Sequence, residues 1–280
     1  MKRVITSVVM VALFLPVLIF SDTLLFPIFV SLLGGIAAFE ILSIRGLHKK
    51  PYLLIPSVLF AMSCPLVSGT DWFPMFESRA YNFLVVAFPL YMMYLFFVAV
   101  VFNRKVAFSD VSYLCMSVSY LALAVFSVPF IRERALFDYL LLIICPCATD
   151  IAALYGGKFF GKKKLCPAVS QHKTVEGSIS GVVGSVIIAF AYGLVRVLMG
   201  GQFETVFLLV AGIGISVVGQ IGDLVASLMK RSSGVKDFGN IFPGHGGIMD
   251  RFDSILAAFA CSFVFLTAYK GILTAYYGML

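Results

Sequence analysis

Three carboxylates near the carboxyl end, Asp223, Asp250 and Asp253, share their stretch of chain with Lys230, Arg231, Lys236 and Arg251. Asp223, Ser227 and Lys230 are spaced i, i+4, i+7, which stacks them on one helix face, with Arg231 on the edge of the same stripe. Asp223 precedes the basic pair by seven residues, roughly 10 Å along a helix rising ~1.5 Å per residue. An ionised carboxylate that deep in an apolar helix is costly unless it meets a cation, a partner or a water-filled cavity. The stripe is therefore expected to line a polar cavity open to one membrane face. Asp250 and Asp253 form an i, i+3 pair at the start of the last apolar stretch. They can cap that helix, whose N-terminus favours negative charge. Together with Asp223 they also offer hard oxygens to Mg²⁺, which keeps water and is usually completed by substrate phosphates. Gly244, Gly246 and Gly247 surround His245, freeing the backbone to approach a ligand and to turn N–H groups toward an anion. A tight re-entry turn needs glycines too. Beside these cations and carboxylates, however, the loop reads as part of a phosphate-and-metal site.

A second polar run lies upstream. It holds Asp150, Lys158, Lys162 to Lys164, and then Lys173-Thr174-Val175-Glu176-Gly177. Lys162 to Lys164 read as a juxtamembrane topology signal. Lys173 differs, because a cation and a capping network could together meet a bound phosphate at the next helix start. The acidic residues of the first half, Asp22, Glu40, Asp71, Glu77 and Asp110, fall at or near the ends of apolar stretches and read as structural. His48 has no chemical context and reads as a surface residue.

The elements that must position these groups follow from composition. The chain has 280 residues, 61% apolar and 12% charged, with a mean hydropathy of +1.02. Half the charge of an ordinary soluble domain cannot coat a globule in water. This excludes a disordered chain, a collagen, a secreted disulfide scaffold and a nucleic-acid-binding module. Nine stretches, 4–20, 23–42, 52–70, 82–102, 110–131, 136–156, 176–199, 205–229 and 254–277, have the length and apolarity to cross a bilayer. They lack the period-2 alternation of a barrel. The expected fold is all-α, a polytopic membrane protein of about nine transmembrane helices. Residues 1–135 read as a hydrophobic scaffold and 136–280 as a catalytic region with two cytoplasmic loops, 157–175 and 230–253. Met1-Lys2-Arg3 and the run after it read as an uncleaved first helix. With the amino terminus cytoplasmic, the inside segments carry 16 Lys and Arg against 3 outside. The positive-inside rule thus accounts for the net charge of +7 without a nucleic-acid partner. The six cysteines, including Cys145-Pro-Cys147, lack metal or redox spacing and read as small packing residues.

The carboxyl-terminal pattern resembles the signature of the phosphatidate cytidylyltransferases, or CDP-diacylglycerol synthases. Its fixed positions are met over 27 residues by Ser227, Met229, Lys230, Arg231, Lys236, Asp237, Gly239, Pro243, His245, Gly246, Gly247, Asp250, Arg251 and Asp253. The upstream run is similar to the family's second motif at Gly161-Lys162, Leu165, Pro167, Ser170, Lys173-Thr174 and Glu176-Gly177. It departs at Gln171, where the family usually has Pro, and at Val175, where Trp is common.

The resemblance implies a Mg²⁺-dependent reaction of CTP with phosphatidic acid to give CDP-diacylglycerol and pyrophosphate. It further implies a homodimer in the lipid bilayer and paired cations, one of them K⁺, held by Asp223 and Asp250. Asp253 is expected as a further metal ligand. Lys173, Lys230 and Arg231 would balance phosphate charge, and Ser227, Lys236, Asp237, His245, Gly246, Gly247 and Arg251 would contact substrate. The place expected is the bacterial inner (cytoplasmic) membrane, with the site facing the cytoplasm. Other readings are a CDP-archaeol synthase, a polyprenol kinase, or a secondary transporter with broken helices. The Asp-Gly-x-x-Ala-Arg motif of the CDP-alcohol phosphatidyltransferases is absent from the sequence.

Overall fold

The structure, a computed structural model, describes residues 12, 14–68, 79–134, 138–201, 203–242 and 246–277. Among these residues eight helices are long and apolar enough to cross a membrane. The expected span at 4–20 falls largely outside the described residues, of which 14–19 are helical. The protein is an all-α, multi-pass membrane protein.

The chain divides into two compact units, residues 1–134 with 232–251, and residues 135–231 with 252–280. In the first unit, helices α1 (Leu25–Ser43), α2 (Pro51–Ser68), α3 (Arg79–Val101) and α4 (Phe108–Arg134) pack side by side. Their shared core is apolar, with Ile41, Leu42, Leu53, Leu95, Leu114, Leu121 and Phe126 fully buried. Serines and tyrosines satisfy what lipid cannot. Pro56 lies inside α2 and cannot donate to the carbonyl of Tyr52, and the Tyr94 hydroxyl donates to that carbonyl instead at 2.6 Å. His48 corrects the expectation of a surface residue: its ring packs against Phe39, 5.8 Å between centroids, and its Nδ1 is buried.

The second unit contains α5 (Leu141–Phe160), α6 (Val175–Leu198), α7 (Thr205–Ser232) and the greater part of α8 (Met249–Tyr277). Small residues let its helices approach closely. A Cβ at Gly177 would lie 2.8 Å from the carbonyl oxygen of Ala153, and one at Gly184 would overlap Ala152. The Gly177-x-x-x-Gly181 spacing thus serves an α5–α6 contact within the chain.

Two expected loop ranges are corrected. Residues 157–160 continue α5, and 164–174 form an antiparallel hairpin of β1 (Lys164–Cys166) and β2 (Ser170–Thr174). Six of these eight strand residues, Lys164, Ser170, Gln171, His172, Lys173 and Thr174, are polar and carry no apolar period to announce a strand. Lys230 and Arg231 likewise belong to α7, and α8 begins at Met249 rather than 254, because polar residues extend both helices past their apolar stretches.

Candidate active site

In the second unit the site is assembled at the junction of the hairpin with α6. Thr174 is the N-cap of α6, its hydroxyl accepting from the Gly177 N–H at 3.1 Å. Glu176, in the first turn, accepts the backbone N–H of Lys162 at 3.0 Å and of Lys163 at 3.2 Å. The expected capping network is therefore present, and it fixes the strand on which Lys173 sits. Lys173 forms an ion pair with Asp223 of α7, both side chains about a quarter exposed. That pair joins two residues 50 apart in sequence, one in the upstream motif and one on the helix that leads into the carboxyl-terminal signature.

The helical stripe on α7 is present as expected. The Ser227 hydroxyl donates to Asp223 Oδ1 at 3.5 Å, one turn along. Lys230 is buried, 9% exposed, as is Asp253, 7% exposed. The Asp253 carboxyl lies within electrostatic reach of Asp223, Lys230 and Asp150, and its Oδ1 accepts the Ser254 N–H at 2.8 Å. The Ser254 hydroxyl donates to Asp150 Oδ2 at 3.3 Å. Carboxylates from α5, α7 and α8 thus share one polar neighbourhood with Lys173 and Lys230. No role was read from Asp150 in the sequence. Its signal is the one that marked Asp223, a carboxylate within an apolar helix.

In the first unit, Asp250 holds the glycine loop. Its Oδ2 accepts the Phe238 N–H at 2.7 Å and the Gly247 N–H at 3.0 Å. The backbone turns at Gly246 with φ +85°, and a Cβ there would lie 2.7 Å from the same Oδ2. Only glycine fits both constraints. Next to it, Glu40 of α1 accepts the N–H groups of Ile248 and Met249, each at 2.9 Å. Glu40 therefore caps α8 from a distance of more than 200 residues in sequence. Arg45 donates to the hydroxyls of Ser233 and Ser232 at 3.2 and 3.3 Å and rests over the Tyr113 ring. Reading Glu40 as a bland end residue missed this, although a carboxylate near the end of an apolar stretch needs a partner.

The remaining expected residues take the following places. Lys236, Asp237 and Arg251 are exposed in the first unit, Arg231 is exposed on α7, and Gly247 is buried. His245 lies outside the described residues. Lys162 to Lys164 are exposed. Among the described residues, no three His, Cys, Asp or Glu side chains gather closely enough to hold an ion alone. The donor chemistry nevertheless fits a hard cation. Asp223 is already paired with an ammonium, and a divalent ion bound by one or two carboxylates would fill its shell from phosphate and water, the habit of Mg²⁺.

Comparison with known proteins decides the kinship. Residues 1–269 match the cytidylyltransferase family. The chain belongs to this family. It is 33% identical over 260 residues to a phosphatidate cytidylyltransferase of Bacillus subtilis (strain 168), covering 91% of this chain and 93% of that one. Proteins of the same name from Staphylococcus haemolyticus (strain JCSC1435) and Staphylococcus aureus (strain COL) are 31% and 32% identical, each over 91% of this chain and 94% of their own. As a cytidylyltransferase-family chain, it carries the family match from residue 1 through most of α8, the helices of the first unit included.

Proposed function

We propose that this chain is a CTP:phosphatidate cytidylyltransferase, a membrane-embedded nucleotidyltransferase that makes CDP-diacylglycerol and pyrophosphate for phospholipid synthesis. The observation that carries the reading is the Lys173–Asp223 pair, which couples the upstream motif to the helix on which the carboxyl-terminal signature begins. The whole-length kinship with phosphatidate cytidylyltransferases supports the same substrates.

A phosphate oxygen of phosphatidic acid attacks the α-phosphorus of CTP, and the bond from that phosphorus to the β-phosphate oxygen breaks. Pyrophosphate leaves with the bonding electrons. The nucleophile is already anionic, so no strong general base is required. The barrier is repulsion between two anionic phosphates, and positioning with charge neutralisation is the remedy. Lys173, Lys230 and Arg231 supply positive charge, Arg being suited to bidentate contact with phosphate. Ser227, Lys236, Asp237, Arg251 and the loop at His245, Gly246 and Gly247 shape the nucleotide site. Asp223, Asp250 and Asp253 are the proposed metal ligands. Mg²⁺, with K⁺ as a second cation, supplies charge neutralisation on the triphosphate when bound. A polar stripe sunk about two helical turns below the membrane surface suits one substrate from water and another held by acyl chains. The cytoplasmic membrane is the proposed location, with the site on its basic, cytoplasmic face, and a homodimer is the proposed active form.

The test is turnover of CTP carrying ³²P at the α or the γ position, with phosphatidic acid in detergent. Label from the α position is expected in the lipid product and label from the γ position in pyrophosphate. Lipid labelled from the γ position would instead mark a kinase.

A further inference from the structure

Beyond the cytidylyltransferase residues, one buried carboxyl in the scaffold half touches the signature loop and has no assigned part in the chemistry. Glu40 is 2% exposed, close to the end of α1. Each of its two oxygens accepts a backbone N–H, from Ile248 and Met249, at the first turn of α8. The loop is cut to fit it. A Cβ at Gly239 would lie 2.7 Å from Glu40 Oε1, and one at Gly247 would overlap the same carboxyl. Both glycines belong to the signature, so two of its small positions are explained by one side chain 200 residues away. Asp250 follows Met249 directly and gathers the N–H groups of Phe238 and Gly247. Five residues beyond Glu40, Arg45 holds Ser232 and Ser233 at the other end of the loop. The end of α1 thus grips the 232–249 segment at both ends.

We propose that Glu40 is a positioning residue for the signature loop, fixing the Gly246-Gly247 turn and the first turn of α8 so that Asp250 is held in its working orientation. The role rests on the cytidylyltransferase reading, and acts through Asp250 rather than on substrate. A buried carboxyl is suited to it, because it accepts twice at a helix N-terminus where negative charge is favoured. An amide of the same shape keeps one acceptor oxygen and turns its NH₂ group toward one of the two N–H donors.

The test uses the full-length protein in detergent. Glu40→Gln keeps the side chain's shape, and two readouts are taken: hydrogen exchange of the backbone at 246–250, and kcat and KM for CTP-dependent CDP-lipid formation. The expected result is exchange at Ile248 and Met249 at least about tenfold faster. A fall in kcat of about 10- to 100-fold, exceeding any change in KM, should accompany it. Asp22→Asn, at an exposed carboxylate before α1, is the control and should change neither. Gly247→Ala presses on the same carboxyl from the loop side and provides a second route should Glu40→Gln fail to fold. Wild-type exchange in the folded variant, or faster exchange with undiminished kcat, would overturn the proposal. Exchange reads the clamp independently of activity. A wild-type protein that forms no CDP-lipid would therefore sink the functional reading alone, leaving exchange to decide whether Glu40 holds the loop.

Discussion

The ion pair between Lys173 and Asp223 is the most informative contact in the protein, because each partner is hard to place without the other. Asp223 sits on an apolar helix and Lys173 on a mostly polar hairpin, both side chains about a quarter exposed. On the proposed chemistry both groups serve the phosphates, so their losses should not add. Asp223→Asn is expected to lower turnover by at least about 100-fold with the protein still folded. Lys173→Met should cost ~10- to 100-fold by itself, and the double variant little more than Asp223→Asn. Steady-state kinetics on the three variants would check this, strict additivity being the contrary outcome. Asp253 and Asp150 call for a comparison of the same kind. Asp253 is buried beside two other carboxylates and Lys230, whereas Asp150 stands on the exposed side of α5 and meets Ser254. Asn at 253 should therefore impair turnover more than Asn at 150.

At the scale of elements, close helix approach within each unit makes the site's geometry depend on residues that bear no charge. A Cβ at Gly222 would overlap that of Ala257 and lie 2.9 Å from the carbonyl oxygen of Asp253. Gly222→Ala should force α7 away from α8, destabilising the protein by about 1–3 kcal/mol. It should also depress turnover through its neighbour Asp223. A thermal melt and a turnover assay on one preparation would test both. Tyr94→Phe is a milder case: it leaves the carbonyl of Tyr52 without the hydroxyl that stands in for the missing donor at Pro56. A loss of ~1 kcal/mol with normal kcat is expected, read from the melt. The helices themselves were legible from apolar run length, and the α7 stripe from its spacing, because both depend on local periodicity. The hairpin was not, since its strands are three and five residues long and mostly polar. The Glu40 contact was not legible either. It joins α1 to the start of α8, and no local spacing encodes a bond between residues so far apart. The early starts and late ends of α7 and α8 escaped for a related reason: hydropathy marks where lipid ends, whereas hydrogen bonding carries a helix on into polar sequence.

For the whole molecule, the charge bias and the site are two aspects of one arrangement. In the proposed orientation the basic residues flank the segments assigned to the chemistry, so that a soluble anionic nucleotide would meet positive charge at the membrane surface. Labelling of single cysteines placed at Lys163 and Lys236 in a cysteine-free background should occur from the cytoplasmic side only. Access from the opposite face would contradict the proposed orientation. The proposed homodimer predicts a detergent-corrected mass of twice 30.6 kDa, checked by light scattering.

The proposed chemistry requires that intramembrane carboxylates bring Mg²⁺ and CTP together for transfer to phosphatidic acid. Its most direct test is a Mg²⁺ titration of CDP-lipid formation from α-labelled CTP, comparing the wild-type protein, stripped of metal by EDTA, with Asp223→Asn. No turnover is expected without added metal, with saturable recovery in the wild type and little or no recovery in the folded variant at any Mg²⁺ concentration. A variant that follows the wild-type curve would contradict it.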